Sequence, residues 1–590
     1  MNKHKKENDF KDSMKKLFKY IKKYLPLIIP ALILAMISAI FSIIGPDKLK
    51  EITDTITNGL MTGIDLDKVK KIGIFLIIIY SLSAIFGYIQ GFIMNIVTNK
   101  FSKSLRNDIS VKINKLPLKY FDKTSYGDIL SRVTNDVDTI CYSLNQSIST
   151  LVSSITLLIG ALIMMIITDH IMAITAVAAS LIGFSLMALI LKNSQKYFDA
   201  QQRELGRLNG HIEEIYAGHD IIKVYNATEE ETEKFDHINN KLYKNAKISQ
   251  FLSGLMPPIM SFIGNFGYVA VCIVGALLVI NDQITFGVIV AFMVYIRLFT
   301  NPLTQIAQAS TSLQSTAAAS ERVFTFLEEK EMPKEENKKR LDRKDVKGNI
   351  EFKNIEFGYD KDKIIIKNFS ATAKAGSKIA IVGPTGAGKT TMVNLLMKFY
   401  DITKGDILID GISIKDLTRE NVHDLFTMVL QDTWVFSGTI KENIKYNNSE
   451  ISDDKVQEVC KIVGLDHYIK SLPKGYNTML NEIESLSGGQ KQLLTIARAM
   501  LLDKPFLILD EATSSVDTRT EELVQNAMDE LTKGKTSFII AHRLSTIKNA
   551  DLILVMKEGN IIEQGNHEEL LKQNGFYAEL YNSQFQKTED

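Results

Sequence analysis

Up to about residue 310 the apolar positions gather into six long runs, and beyond residue 349 they break into short ones that alternate between strand and helix periods. The long runs cover approximately 25–45, 72–97, 147–168, 171–191, 252–280 and 286–309. Each is close to the ~20 residues an α-helix needs to cross a bilayer. One or two such runs would suit buried core helices, but six in half a chain predict an all-α, six-helix membrane domain over 25–327. Before it, residues 1–24 carry Met14, Leu17, Phe18 and Ile21 on one helical face and lysines on the others, the pattern of an amphipathic helix lying at a membrane interface.

The connections differ in length and charge. Residues 98–145 and 192–250 each divide into two helical limbs of ~20 residues, which at ~1.5 Å per residue would continue the spans about 30 Å past the bilayer. Short turns around Tyr120-Phe121-Asp122 to Gly127-Asp128 and from Glu213 to Gly218 would form their tips. Residues 1–23 hold nine lysines, and the two long connections hold eight and nine basic residues. Asp169-His170 and Asn281-Asp282-Gln283 hold no Lys or Arg, and the first loop, 46–71, balances five lysines against five acids. An excess of Lys and Arg marks the cytoplasmic side, so the N-terminus and both long connections are expected there.

Within the spans, Pro257 and Pro258 are tolerable because neighbouring helices or water can satisfy the freed carbonyls. Arg297 would cost about 2.5–3.5 kcal/mol at the bilayer centre, so it should face a cavity or snorkel toward the cytoplasm. Tyr80, Gln90, Asn95, Asn265, Tyr268 and Tyr295 read as groups that line a substrate pathway or bond helix to helix, the second being preferred, and no substrate-binding residue is assigned.

Composition changes this picture only when divided. The 590 residues hold 69 basic and 68 acidic side chains, but 41 and 33 of these precede Gly348 and 28 and 35 follow it, giving +8 and −7. Neither part has the clustered basic face of a nucleic-acid binder. Cys141, Cys272 and Cys460 lack CxxC or histidine spacing and read as free thiols. The N-terminus fits neither a cleaved signal nor a transit peptide.

Residues 328–348 are dense in charge without apolar periodicity and read as a linker. From 349 to 590, strand-like runs (NIEFKNIEF, KIAIVG, FLILD, TSFIIA, LILVM) alternate with helical ones, as in an α/β nucleotide-binding domain. Gly383-Pro384-Thr385-Gly386-Ala387-Gly388-Lys389-Thr390-Thr391 lies between a strand and a helix. Its glycines let backbone N–H groups curl around phosphate, Lys389 meets the β/γ charge, and Thr390 offers a hydroxyl to Mg²⁺. Leu507-Ile508-Leu509 ends in Asp510, suited to hold the magnesium through water, and Glu511, suited to polarise an attacking water.

Between these motifs, Leu486-Ser487-Gly488-Gly489-Gln490 resembles the signature of ATP-binding cassette (ABC) proteins. In that family the signature caps the γ-phosphate of ATP held by a second cassette, so the resemblance implies an obligate dimer, a homodimer or a heterodimer with a second half-transporter. Tyr359 resembles the aromatic that stacks on adenine, Gln431 the glutamine that senses Mg²⁺, Asp517 in Ser514-Ser515-Val516-Asp517 the loop across the dimer seam, and His542 the switch histidine that reaches the γ-phosphate. The segments LPLKYFDKTSYGDILSRVTNDVDTI and LGRLNGHIEEIYAGHDIIKVYNATEEE are similar to the two intracellular loops of six-helix ABC half-transporter exporters, whose tips are coupling helices. About residues 10–585 are covered. Residues 478–485 depart from the family's T-x-V-G-E-x-G loop, keeping the glutamate, Glu482, and losing both glycines. The resemblance implies a primary active exporter of a drug, lipid, peptide or other amphipathic molecule, in a bacterial plasma membrane in contact with lipid, with ATP and Mg²⁺ as cofactors. An importer of the same fold, or an ATP-gated channel, is the alternative.

Overall fold

A computed structural model describes residues 3–60, 63–360, 362–430, 433–446, 448, 450, 451–480, 486–510, 518–540 and 547–585, the side chains of 3–11, 186–193, 256, 257, 260, 518, 584 and 585 excepted. The chain divides into two compact units, Met1–Asn114 with Tyr126–Glu329, and Lys115–Ser125 with Lys330–Asp590.

The first unit is helical: α1 (Lys3–Ile21), α2 (Leu25–Gly59), α3 (Leu66–Lys115), then α4 (Leu118–Phe121), which belongs to the second unit. It continues with α5 (Tyr126–Ser131), α6 (Val137–Tyr142), α7 (Ile148–Thr168), α8 (His170–Ala217), α9 (His219–Val224), α10 (Thr228–Gly254), α11 (Met256–Ile280) and α12 (Phe286–Glu328). Among the described residues five helices are long and apolar enough to cross a membrane, and His170–Ser185 is a shorter apolar segment. The protein is an integral membrane protein. Helices α3, α8 and α12 run unbroken for 50, 48 and 43 residues. At ~1.5 Å per residue all three exceed twice the ~30 Å hydrocarbon core.

Four-residue spacing keeps Ala31, Ala35 and Ala39 on one face of α2, where all are buried. Small side chains let helices approach closely in lipid. A Cβ on Gly160 of α7 would meet Ile43 of α2. The one-residue connection to α8 works because Asp169 is an extended N-cap whose carboxylate accepts from the Met172 amide at 2.8 Å. Asp54 serves α12 similarly, accepting from the Gly287 amide at 2.9 Å and the Thr285 hydroxyl at 2.8 Å. Gln90 donates to Ser149 on α7 at 2.8 Å, a helix-to-helix bond.

On α1, Leu17 and Ile21 are buried, and Tyr20 packs its ring against Phe101 of α3 and Phe324 of α12. That apolar face is therefore turned to protein, while Phe18 stays exposed.

In the second unit the strands are β1 (Ile350–Phe357), β2 (Ile366–Ala373), β3 (Lys378–Val382), β4 (Lys404–Ile409), β5 (Ile412–Ser413), β6 (Phe426–Val429), β7 (Gly438–Thr439), β8 (Met479–Leu480), β9 (Phe506–Asp510), β10 (Thr536–Ile540), β11 (Leu552–Lys557) and β12 (Asn560–Gly565). Six form a sheet in the order β12-β11-β3-β10-β9-β6, parallel except for β12 at the edge. Its central strands are apolar on both faces, as a sheet covered on two sides requires, and every residue of β10 is buried. A second, antiparallel sheet has the order β2-β1-β4-β5.

Charge density alone gave residues 328–348 no expected structure, yet specific bonds pin residues 335–341 within this unit. Glu335 lies 3.0 Å from Arg419 and 3.1 Å from Lys398, the Lys339 amide donates to the Asp416 carbonyl at 2.8 Å, and Leu341 exchanges two bonds with the Asn421 side chain.

Candidate functional site

Strand β3 ends in the phosphate-loop motif, and the helix α13 (Lys389–Leu396) begins directly after it. Three glycines make the turn possible: Gly383, Gly386 and Gly388 have φ of +154°, +83° and +102°. Such angles suit glycine because it has no Cβ. The Lys389 amine, nearly buried, donates to the Gly383 carbonyl at 2.7 Å and the Pro384 carbonyl at 3.2 Å. Burial lowers its pKa, and the nearby Asp510 charge opposes that shift.

Asp510 reaches this loop through register. Ile540 of β10 pairs with Ile381 of β3 on one side and Asp510 of β9 on the other, so the carboxylate stands at the strand ends where the phosphate loop starts. Tyr359 also arrives here. Its hydroxyl donates to Thr391 at 3.3 Å and accepts from Asn394 at 3.2 Å, and its ring meets Tyr400 edge-on at 4.9 Å.

Ser487, Gly488, Gly489 and Gln490 open a different helix, Gly488–Leu502. Ser487 and Gln490 form a reciprocal capping box, with bonds of 3.2 and 2.9 Å. The Gly488 and Gly489 amides at the positive helix end then remain for an anion. Among the described residues no hydrogen bond or ring contact joins Ser487–Gln490 to Gly383–Thr391. Gln431, Glu511, Ser514 to Asp517, His542 and Asn481 to Ser485 lie outside the described residues.

Sequence reasoning missed Asn394 and Tyr400. It did place the tip of a long connection around Tyr120–Asp122. Lys115–Ser125 belongs to the second unit, where Lys119 donates to the Tyr359 carbonyl, Lys123 lies 3.1 Å from Asp360, and Tyr400 donates to Asp122.

A glycine cradle, a buried lysine and a strand-end carboxylate, fused to long membrane-crossing helices, define a P-loop nucleotide-binding motor attached to a membrane domain. Residues 27–303 match the ABC transporter transmembrane region and residues 366–514 match the ABC transporter family model. The chain is 44% identical over 519 residues to a fatty acid ABC transporter ATP-binding/permease protein of Mycobacterium bovis, covering 88% of this chain and 82% of that one. To an ATP-dependent lipid A-core flippase of Syntrophus aciditrophicus it is 33% identical over 523 residues, covering 88% and 86%. A solved bacterial Atm1-family ABC exporter with ATP bound has a TM-score of 0.74 and 25% identity, over 95% of this chain and 98% of that one. The chain belongs to the ABC transporter family: it binds nucleotide and couples ATP hydrolysis to transport.

Proposed function

We propose that this chain is one half of a dimeric ATP-driven exporter of amphipathic cargo, with its N-terminus and its cassette, residues 349–590, on the cytoplasmic side. The observation that supports the dimer is that Ser487–Gln490 and Gly383–Thr391 open two different helices, each suited to an anion, with no hydrogen bond between them among the described residues. A second cassette, from another copy or another half-transporter, would complete both.

The residues present fit Mg-ATP. Left-handed glycines leave backbone amides to phosphate, and Lys389 has exchangeable bonds to two loop carbonyls. Tyr359 would carry the adenine, Thr390, Asp510 and Gln431 the metal, and Asp517 the seam. Magnesium would supply charge neutralisation at the phosphates. Glu511 would accept the proton of the attacking water, and His542 would hold the γ-phosphate end of the site. Relatives named for fatty acids, a lipid A core and multidrug resistance support an apolar or amphipathic cargo.

The deciding experiment uses inside-out vesicles. Glu511→Gln should retain ATP binding, slow hydrolysis by about 10²–10⁴ and stop uphill uptake of an amphipathic dye. Passive equilibration that ignores both ATP and this substitution would identify a channel and overturn the reading.

A further inference from the structure

An amphipathic helix at a bilayer surface lays its apolar face on the lipid. On α1 that face is already taken by protein. Leu17 and Ile21 are buried, and the Tyr20 ring meets Phe101 of α3 at 5.4 Å and Phe324 of α12 at 5.9 Å. Polar bonds fix the same side: the Tyr20 hydroxyl donates to Asp108, Lys23 donates to Ser104 at 2.9 Å, and Lys16 pairs with Glu328 at 2.7 Å. Held to two long helices in this way, α1 cannot roll its apolar side toward the bilayer.

What α1 and the turn after it present outward is Lys15, Phe18, Lys19 and Lys22, all exposed. Their spacing of i, i+3, i+4 and i+7 puts them on one helical face. Asp12, the acid nearest that face, lies 3.2 Å from Lys16 at its edge. Among the described residues Lys15, Lys19 and Lys22 have no ion pair or hydrogen bond. The face therefore carries three uncompensated ammonium groups around one phenyl ring.

Its distance from the bilayer follows from the chain. A single 3-10 turn, Lys22–Tyr24, leads into α2, whose first residues Leu25, Leu27 and Ile29 are exposed and begin the first span. At ~1.5 Å per residue Lys22 and Lys19 stand within about 10 Å of Leu25 and Lys15 within about 15 Å, even with α1 upright. The headgroup layer and one Debye length of about 8 Å together span that range.

We propose that this face is a docking surface for anionic phospholipid headgroups, with Phe18 entering the layer beside them. A zwitterionic headgroup brings no net charge to three ammonium groups, whereas a phosphodiester with an uncharged substituent brings one negative charge per lipid. A protein partner fits less well, because one phenyl ring offers far less apolar area than a stable interface buries. On the orientation proposed above the leaflet is the cytoplasmic one, and that clause alone rests on it.

The test uses the full-length protein in micelles holding equal amounts of phosphatidylcholine and phosphatidylglycerol with the same acyl chains, and counts the lipids retained by native mass spectrometry. Wild type should keep phosphatidylglycerol by at least about fivefold, the weight of one lysine near an anionic surface. Lys15→Gln with Lys19→Gln and Lys22→Gln should bring the two lipids near parity, and the same three positions changed to arginine should keep the preference. Lys367→Gln with Lys374→Gln and Lys572→Gln, three exposed cassette lysines, makes the same change of charge and should leave the preference unaltered. Parity in wild type, an undiminished preference in the first glutamine triple, or an equal loss in the cassette triple would overturn the proposal. Sidedness is read separately. Lys19→Cys should react with an impermeant maleimide, beyond the wild-type background, in inside-out vesicles and not in right-side-out ones; the reverse would defeat the orientation and leave the lipid preference standing.

Discussion

Arg322 on α12 grips Asp136 through two bonds, with Nε donating at 3.0 Å and Nη2 donating to the other carboxylate oxygen. The arginine is half-exposed, at 55%, but the carboxylate is 5% exposed, so the pair is asymmetric. Asp136 closes a π-turn, Arg132–Asp136, that interrupts the helical limb between Tyr126 and Thr168. An extra residue in a helical turn rotates the helix beyond it, and here the arginine holds the rotated segment against α12.

Removing the arginine should therefore cost more than removing the acid. Arg322→Met leaves a buried carboxylate unpaired and should destabilise the membrane unit by about 3 kcal/mol, whereas Asp136→Asn keeps a neutral acceptor and should cost less. Cys141, buried five residues along, is a built-in reporter. Its labelling by a permeant maleimide should quicken in Arg322→Met well before it does in Asp136→Asn; equal rates would show that the bonds carry no local stability.

The phosphate-loop glycines make different demands. At Gly383 an added Cβ would land on the Met556 carbonyl oxygen of β11, which belongs to the central sheet and has no room to shift. At Gly386 it would meet nothing within 4 Å, leaving only the φ of +83° as an obstacle. Alanine at Gly386 should cost about 1 kcal/mol and weaken ATP binding several-fold. At Gly383 it should abolish binding measurable with a fluorescent ATP analogue. Comparable affinities would mean that the loop adopts another conformation around nucleotide.

Motifs whose function is set by local sequence were readable in advance, because a strand-to-helix phosphate loop needs only a glycine pattern and its two neighbours. Gly383 to Thr391 and Asp510 were named in this way, Tyr359 only through the family resemblance, and all meet at one end of the sheet. Partners supplied by long-range folding were not readable. Nothing near Asn394 or Tyr400 in sequence marks them as companions of Tyr359. Glu335 sits in a stretch whose composition alone suggests solvent, and only the fold brings Lys398 and Arg419 to it. On α1 the hydrophobic pattern located a face but had no means of choosing between lipid and the rings of Phe101 and Phe324.

That linker contact should respond to acid. Burial by itself would raise the Glu335 carboxyl, but the Arg419 amide, Lys338 and Lys398 outweigh it and hold the group at about 2. A depressed carboxyl pKa stabilises the fold above the unfolded value, and the contribution disappears as pH falls toward the folded one. The window is thus from about 4.5 down to about 2, and about 2–3 kcal/mol is at stake. Limited proteolysis of the full chain should cut between Lys330 and Leu341 increasingly as pH drops below 4.5. Glu335→Gln should be cut readily at pH 7 and show little further change. A wild-type pattern in that variant at neutral pH would mean that the Asn421 and Asp416 bonds hold the linker without Glu335.

Tyr400 stands between the tip and the nucleotide site, and its two contacts can be separated. Its hydroxyl donates to Asp122 in Lys115–Ser125, while its ring supports Tyr359 edge-on. Burial and the Asp122 carboxylate both raise the Tyr400 pKa, so the hydroxyl remains a donor throughout the physiological range. Tyr400→Phe removes only the bond to the tip. It should preserve ATP affinity and much of the hydrolysis rate while reducing ATP-driven uptake, because the tip joins the long helix α3 to the limb that begins at α5. Tyr400→Ala also removes the edge-on packing, worth about 0.5–1.5 kcal/mol, so its ATP affinity should fall about 2–10-fold in addition. Asp122→Asn, which retains an acceptor for the hydroxyl, should resemble wild type more closely than Tyr400→Phe in uptake. Titration with a fluorescent ATP analogue and uptake by inside-out vesicles read the two effects independently. If Tyr400→Phe lost affinity as much as Tyr400→Ala, the hydroxyl would act on the nucleotide site itself rather than on its link to the tip.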